Sequence, residues 1–285
     1  MNVSVTARVI CALGLASGLA VLVSSAADET PRHELEGRAP ARATHLPGVQ
    51  AAFENESYRP GEWARLVVDH RSRDLLMQVF ESGPERVPTS SSSLMSGVPV
   101  TRERSIGGGS GRRVLTLKVG RWESGLYFVR LRAPNGHLGF APFVVAPQHI
   151  GRHPVAVVLP TLTWQAYNFR ADSDGRAGSW YVDKRVSSVR LGRAFLDRGV
   201  PYGLRNHLGF LTWLRRTGRK VEYLSQWDLE QVSSAAALED AYDLIVFAGH
   251  HEYVTAEEYD LVEGYRDLGG NLIFLSANNF FWRVE

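Results

Sequence analysis

The sequence predicts two folds in series. An all-β immunoglobulin-like sandwich is expected over residues 48–147, followed over residues 152–285 by an α/β domain whose mostly parallel sheet is flanked by helices in an amidotransferase- or flavodoxin-like manner. Three observations carry this reading. Short alternating strands punctuated by Gly and Pro, with no helical period, fill the first part. After Pro147, continuous apolar runs suited to strands covered on both faces alternate with helical periods. Finally, the run Asp243–Ala248 meets a marked helix start at Thr255 across Gly249-His250-His251-Glu252-Tyr253, and loops leaving the carboxyl ends of strands are where open α/β sheets bind ligands.

With 285 residues, 44% hydrophobic and 22% charged, the chain has material for two ordinary cores. Arg8, the apolar run Val9–Val23 and Ser25-Ala26-Ala27 have the order of a secretory signal peptide, expected over residues 1–27. The run is shorter than the roughly 20 residues of a membrane span, although an uncleaved anchor is the competing reading. Cleavage would remove Cys11, the sole cysteine, so the mature chain could hold neither a disulfide nor a thiolate nucleophile. It would also remove Arg8, leaving +1 of a formal charge of +2, which argues against nucleic acid and against an anionic membrane as partners. The expected location is secreted or periplasmic. Residues 28–47, polar and dotted with proline, read as a disordered linker.

In the β domain, Pro60-Gly61 suits a type II turn leading into the strand Trp63–Val68. Further strands are expected at Leu75–Phe80, Arg113–Val119, Leu126–Leu131 and Gly139–Val145. Gly107–Gly111 reads as a hairpin loop rather than a phosphate cradle, because no helix and no P-loop lysine follow it. In the α/β part the strand Pro154–Leu159 ends in a loop, Pro160–Asn168. The helical period around Leu204–Leu214, the strand Lys220–Leu224 and a helix near Ala235–Asp240 follow. Asp172–Gly175 reads as a turn. Thr255 and Glu258 spell a capping box, Gly269-Gly270 ends that helix, and Asn271–Ser276 forms the next strand. The α/β domain is expected to be truncated at its C-terminus, since no closing helix follows.

The chemistry concentrates in two loops. Tyr167, His250 and Glu252 would open onto one sheet edge and together make a hard O,N,O donor set suited to iron, the phenolate favouring Fe(III). Taken alone, Tyr167 reads equally as a buried core tyrosine, and the histidines as polar loop residues. Alternation turns His251 away from His250 and Glu252, giving it a supporting or surface role. Trp164, Trp180 and Tyr181 suit either a pocket wall or aromatic core. No G-x-S-x-G elbow is present, and the P-C-x-x-C partner of a zinc deaminase is missing.

Thr163-Trp-Gln-Ala-Tyr-Asn168, the Gly-His-x-Glu-Tyr pattern at 249–253, and Asn278 before an aromatic pair and Trp282 resemble the C-terminal domain of the N,N-dimethylformamidase large subunit family, as does an immunoglobulin-like domain ahead of α/β. The resemblance implies a single non-haem iron, Fe(III), held by Tyr167, His250 and Glu252, water activated for hydrolysis of a small amide, and Asn278 as a polar catalytic-site residue. A small partner subunit or a homo-oligomer is compatible with it, and the general base is left unassigned, within this sequence or beyond Glu285. The alternative from another class is a non-catalytic extracellular protein that binds carbohydrate or a partner and carries a vestigial metal loop.

Overall fold

The structure, a computed structural model, describes residues 48–285 except 88, 90, 108, 171–177, 182–187 and 197. The expected signal peptide, linker and Asp172–Gly175 turn lie outside the described residues. The first half is built from antiparallel strands. A three-stranded sheet has the order β1–β3–β7, where β1 is Gln50–Phe53, β3 is Trp63–His70 and β7 is Gly111–Lys118. A second sheet joins β2 (Ser57–Tyr58), β9 (Leu138–Val145), β8 (Gly125–Arg132), β4 (Leu76–Glu81) and β5 (Val98–Pro99), with β6 (Arg104–Ser105) also pairing β4. Strict alternation explains why they face each other: in β3 the residues Ala64, Leu66 and Val68 point inward, fully buried, against Val129, Leu131 and Phe143 of the opposing sheet. Gly61 at φ +91° supplies the turn expected of Pro60-Gly61, closed by the Glu62 amide donating to the Arg59 carbonyl at 3.1 Å.

The second half contains β10 (Val155–Leu159), α1 (Thr161–Ala166), α2 (Leu204–Arg216), β11 (Glu222–Ser225), α3 (Gln226–Glu230), α4 (Ala235–Ala241), β12 (Leu244–Phe247), β13 (Tyr253–Thr255), α5 (Ala256–Asp267), β14 (Asn271–Phe274) and β15 (Trp282–Val284). Four strands pair in parallel in the order β11–β10–β12–β14, and β13 pairs in parallel with β15.

The expected amidotransferase- or flavodoxin-like α/β fold is not what these elements make. The described chain is mostly β structure in antiparallel and mixed sheets, with few and short helices, and an all-β portion fits only in part. The physical reason lies in what covers the parallel strands. One face, carrying Ala156, Val158, Ile245 and Phe247, packs on Leu229, Leu238, Val262 and Tyr265 of α3, α4 and α5. The other face, carrying Val157, Leu159 and Val246, shares a single core with α2 and with Phe80, Leu126, Phe128, Phe140 and Val144 of the sandwich. A sheet therefore takes the place of much of a helical layer. A continuous apolar run signals burial on both faces but does not say what buries them.

The predicted loop Pro160–Asn168 is also corrected, because Thr161–Ala166 is helical. Threonine and tryptophan favour strands weakly, but burial of Thr161, Thr163, Trp164, Gln165 and Ala166 decides the local conformation.

Candidate metal and catalytic site

The site is assembled from two arms. The first is α1, which ends at Tyr167, whose amide donates to the Thr163 carbonyl. The second leaves β12 through Ala248 and Gly249, the latter at φ +104°, where a side chain would be strained. That arm then runs through His250, His251 and Glu252 into β13. Hydrogen bonds tie the arms together: the Tyr253 amide donates to Thr163 Oγ1 at 3.2 Å, Gln226 Nε2 donates to the Tyr253 carbonyl at 2.9 Å, and the Leu162 amide donates to Gln226 Oε1 at 3.0 Å. The segment before β15 clasps the second arm from outside. The Phe280 amide donates to the His251 carbonyl at 2.7 Å, and the Trp282 amide to that of Glu252 at 2.7 Å.

The result is a direct hydrogen bond from the Tyr167 hydroxyl to Glu252 Oε2. Tyr167 is half-buried and Glu252 buried. Aromatic rings wall the pair, with Tyr181 at 4.6 Å, Tyr202 at 5.6 Å, Phe169 at 6.2 Å and Tyr253 at 6.3 Å from the Tyr167 ring, and Trp180 stacked on Tyr253 at 6.0 Å. Burial pushes the Tyr167 hydroxyl well above the usual tyrosine range, and its hydrogen bond to Glu252 and the negative charge of that carboxylate push the same way. Without a cation, Tyr167 is therefore a neutral phenol at pH 7.

Residues 111–285 match the family described as N,N-dimethylformamidase beta subunit-like, C-terminal, a span that includes both arms. The chain belongs to this family. No curated protein matches its sequence. Among solved structures, a cycloisomaltooligosaccharide glucanotransferase of Paenibacillus sp. is 14% identical (TM-score 0.23), covering 40% of this chain and 16% of its own. The superoxide reductase (neelaredoxin) of Ignicoccus hospitalis is 12% identical (TM-score 0.23; 35% and 80%), and a beta-glucosidase of Listeria innocua 11% (TM-score 0.23; 36% and 16%). Likenesses this low carry no argument about fold or activity.

In this family member, the residues expected at the site do not all converge. Tyr167 and Glu252 touch. The ring of His250, partly exposed, instead places Nδ1 2.6 Å from the Ala277 carbonyl and makes no hydrogen bond or ion pair with either of them. Because a carbonyl only accepts, Nδ1 carries a proton, so that in the neutral tautomer compatible with this bond Nε2 is the ring nitrogen with the lone pair. Asn278 is exposed at φ +55° and makes no hydrogen bond to the described residues, whereas its neighbour Asn279 accepts from the His251 amide at 3.2 Å. His251 is not at the surface: it is fully buried, its ring edge-on to Phe247 at 4.9 Å, and burial pulls its pKa down to about 3. Among the described residues no three His, Cys, Asp or Glu side chains converge as metal ligands. A metal here would therefore depend on phenol oxygen. The Tyr167–Glu252 pair fits a hard cation in its chemistry, being two oxygen donors that share one displaceable proton in a shielded setting.

Sequence reasoning passed over Tyr202 and His207. Tyr202, between Pro201 and Gly203, has the local pattern of a turn. His207 sits on the buried stripe of α2 and carries no motif.

Proposed function

We propose that this protein is a mononuclear non-haem iron hydrolase that cleaves the C–N bond of a small amide. The single observation supporting this reading is the hydrogen-bonded Tyr167–Glu252 pair, in a chain of the dimethylformamidase-like family. Tyr167 and Glu252 would hold Fe(III), with His250 contributing Nε2. When bound, the metal supplies Lewis acidity for amide hydrolysis. With a metal bound, Tyr167 would release to solvent the proton it now donates to Glu252, so that its phenolate and the Glu252 carboxylate would both be anionic donors. The Ala277 carbonyl keeps His250 in the tautomer suited to ligation. Tyr181 and Tyr253 would flank the pair and limit its contact with water, which strengthens the attraction between a bound cation and the two oxygens. Asn278 orients the substrate amide. The proposal places the enzyme outside the cytoplasm, alone or with a small partner subunit or further copies of itself.

Elemental analysis of untagged protein tests this reading. Close to one iron per chain in the wild type, lost in Glu252→Ala, supports it; a folded wild type that takes up no iron sinks it.

A further inference from the structure

His207 has no part in the reading above, yet it touches both arms of the site. It projects from α2, is 6% exposed, and its Nδ1 is buried with no hydrogen-bond partner among the described residues. On one side the imidazole stacks on Trp164, with ring centroids 6.3 Å apart and planes 14° from parallel. On the other it abuts Gly249 so closely that a Cβ at that position would overlap Nε2, Cε1 and Cδ2. Trp164 lies one turn before Tyr167 on the first arm, and Gly249 lies shortly before Glu252 on the second. The ring therefore fills the gap between the anchors of the two oxygens that hydrogen-bond to each other.

We propose that His207 is a positioning residue that sets the distance between Tyr167 and Glu252 by wedging an imidazole-sized ring between Trp164 and Gly249. It touches neither oxygen and carries no proton for the reaction. Burial holds its pKa down at about 4, so the ring is neutral and uncharged against the arms at pH 7. The relevant quantity is size. A smaller side chain lets the arms close toward each other, and a larger ring pushes Gly249 away, because the imidazole already lies directly against the glycine. The importance of that distance for a metal rests on the iron reading above, but the geometry of the metal-free pair does not.

The test compares His207→Ala, His207→Phe and His207→Gln with the wild type and with Leu211→Ala, a core truncation at a fully buried position on the same helix. Each is measured for iron affinity and, free of metal, for the 19F resonance of 3-fluorotyrosine at position 167. We expect Ala and Phe at position 207 to shift that resonance and to weaken iron binding about tenfold or more, the range typical of supports behind a ligand. Gln, whose planar amide reaches the position of Nε2, should restore both to within about threefold of wild type. Leu211→Ala should lower stability and change neither. An unshifted resonance in metal-free His207→Ala overturns the proposal, as does an equal loss of iron affinity in Leu211→Ala. If the wild type takes up no iron, the ligand reading fails on its own, and the metal-free resonance still decides the role of His207.

Discussion

At the scale of single residues, the site depends on a proton. Tyr167 is held neutral by burial and by the carboxylate it donates to, so a cation must displace that proton before both oxygens can bind it. Tyr167→Phe keeps the ring among its aromatic neighbours and removes only the donor oxygen. Iron affinity should fall by at least about tenfold with little change in stability, as read by metal titration and thermal melting. Uptake equal to wild type would exclude Tyr167 as a ligand. Gly249 is the second sensitive position, because its φ of +104° and the adjoining imidazole both forbid a Cβ. Gly249→Ala should cost about 2–5 kcal/mol in urea unfolding, combining backbone strain with overpacking. A cost below about 1 kcal/mol would mean that the turn can relax, and would weaken the wedge argument with it.

At the scale of elements, the helix starts near the site differ from the pattern their sequences spell. Thr255 Oγ1 accepts from the Glu258 amide at 3.0 Å, as an N-cap should. The Glu258 carboxylate does not return to complete the capping box. It is drawn inward, and Oε2 accepts from Gln226 Nε2 at 2.8 Å. The reciprocal box forms instead at Ser225–Asp228, ahead of α3, where Ser57 Oγ of the sandwich also donates to Asp228 Oδ1 at 2.8 Å. Ser225→Ala should cost about 1 kcal/mol or somewhat more in chemical denaturation, the cap itself plus the lost bonds to Ser57 and Asp228.

The displaced carboxylate belongs to an acidic joint. Glu56 enters from the turn between β1 and β2, Thr161 from α1, Asp228 and Glu230 from α3, and Glu258 from α5. Burial pushes Glu56 up to about 7 and Glu258 up to about 8, with the neighbouring carboxylates adding to both. Folded-state values raised above the ordinary carboxylate range favour the protonated form. The stability they contribute is thus complete below about pH 4.5 and is lost as pH rises through 7 to 8. The melting temperature should fall between about pH 4.5 and 8, and the double variant Glu56→Gln/Glu258→Gln should flatten that slope. A slope unchanged by the double variant would show that other groups set it.

At the scale of the whole molecule, the sandwich and the parallel strands are joined through one core. Phe128, fully buried on β8, belongs to the same cluster as Val157, Leu159 and Val246. Phe128→Ala should therefore cost about 3–5 kcal/mol, and residues 48–285 should still unfold in a single transition seen alike by far-ultraviolet circular dichroism and tryptophan fluorescence. Two separated transitions, with only the first moved by the substitution, would show that the shared core does not couple the halves.

The sequence was sufficient for what is local. The long sandwich strands, the α2 period, the Thr255 cap and the glycine stop after α5 all follow from side-chain alternation, helical spacing and turn chemistry that neighbouring residues dictate. The Tyr167 and Glu252 pairing could be suspected from the motifs the chain shares with its family, since those motifs carry the residue types that hard-metal chemistry needs. Tertiary structure decided everything that depends on partners distant in the chain. The sandwich covers a sheet face where helices were expected, and burial makes Thr161–Ala166 a helix. Gln226 takes Glu258 out of its capping box, His250 turns to Ala277, and His207 occupies the space that Gly249 leaves open. In each case the local preference is worth about a kilocalorie per mole or less, and burial or hydrogen bonding against a remote segment outweighs it.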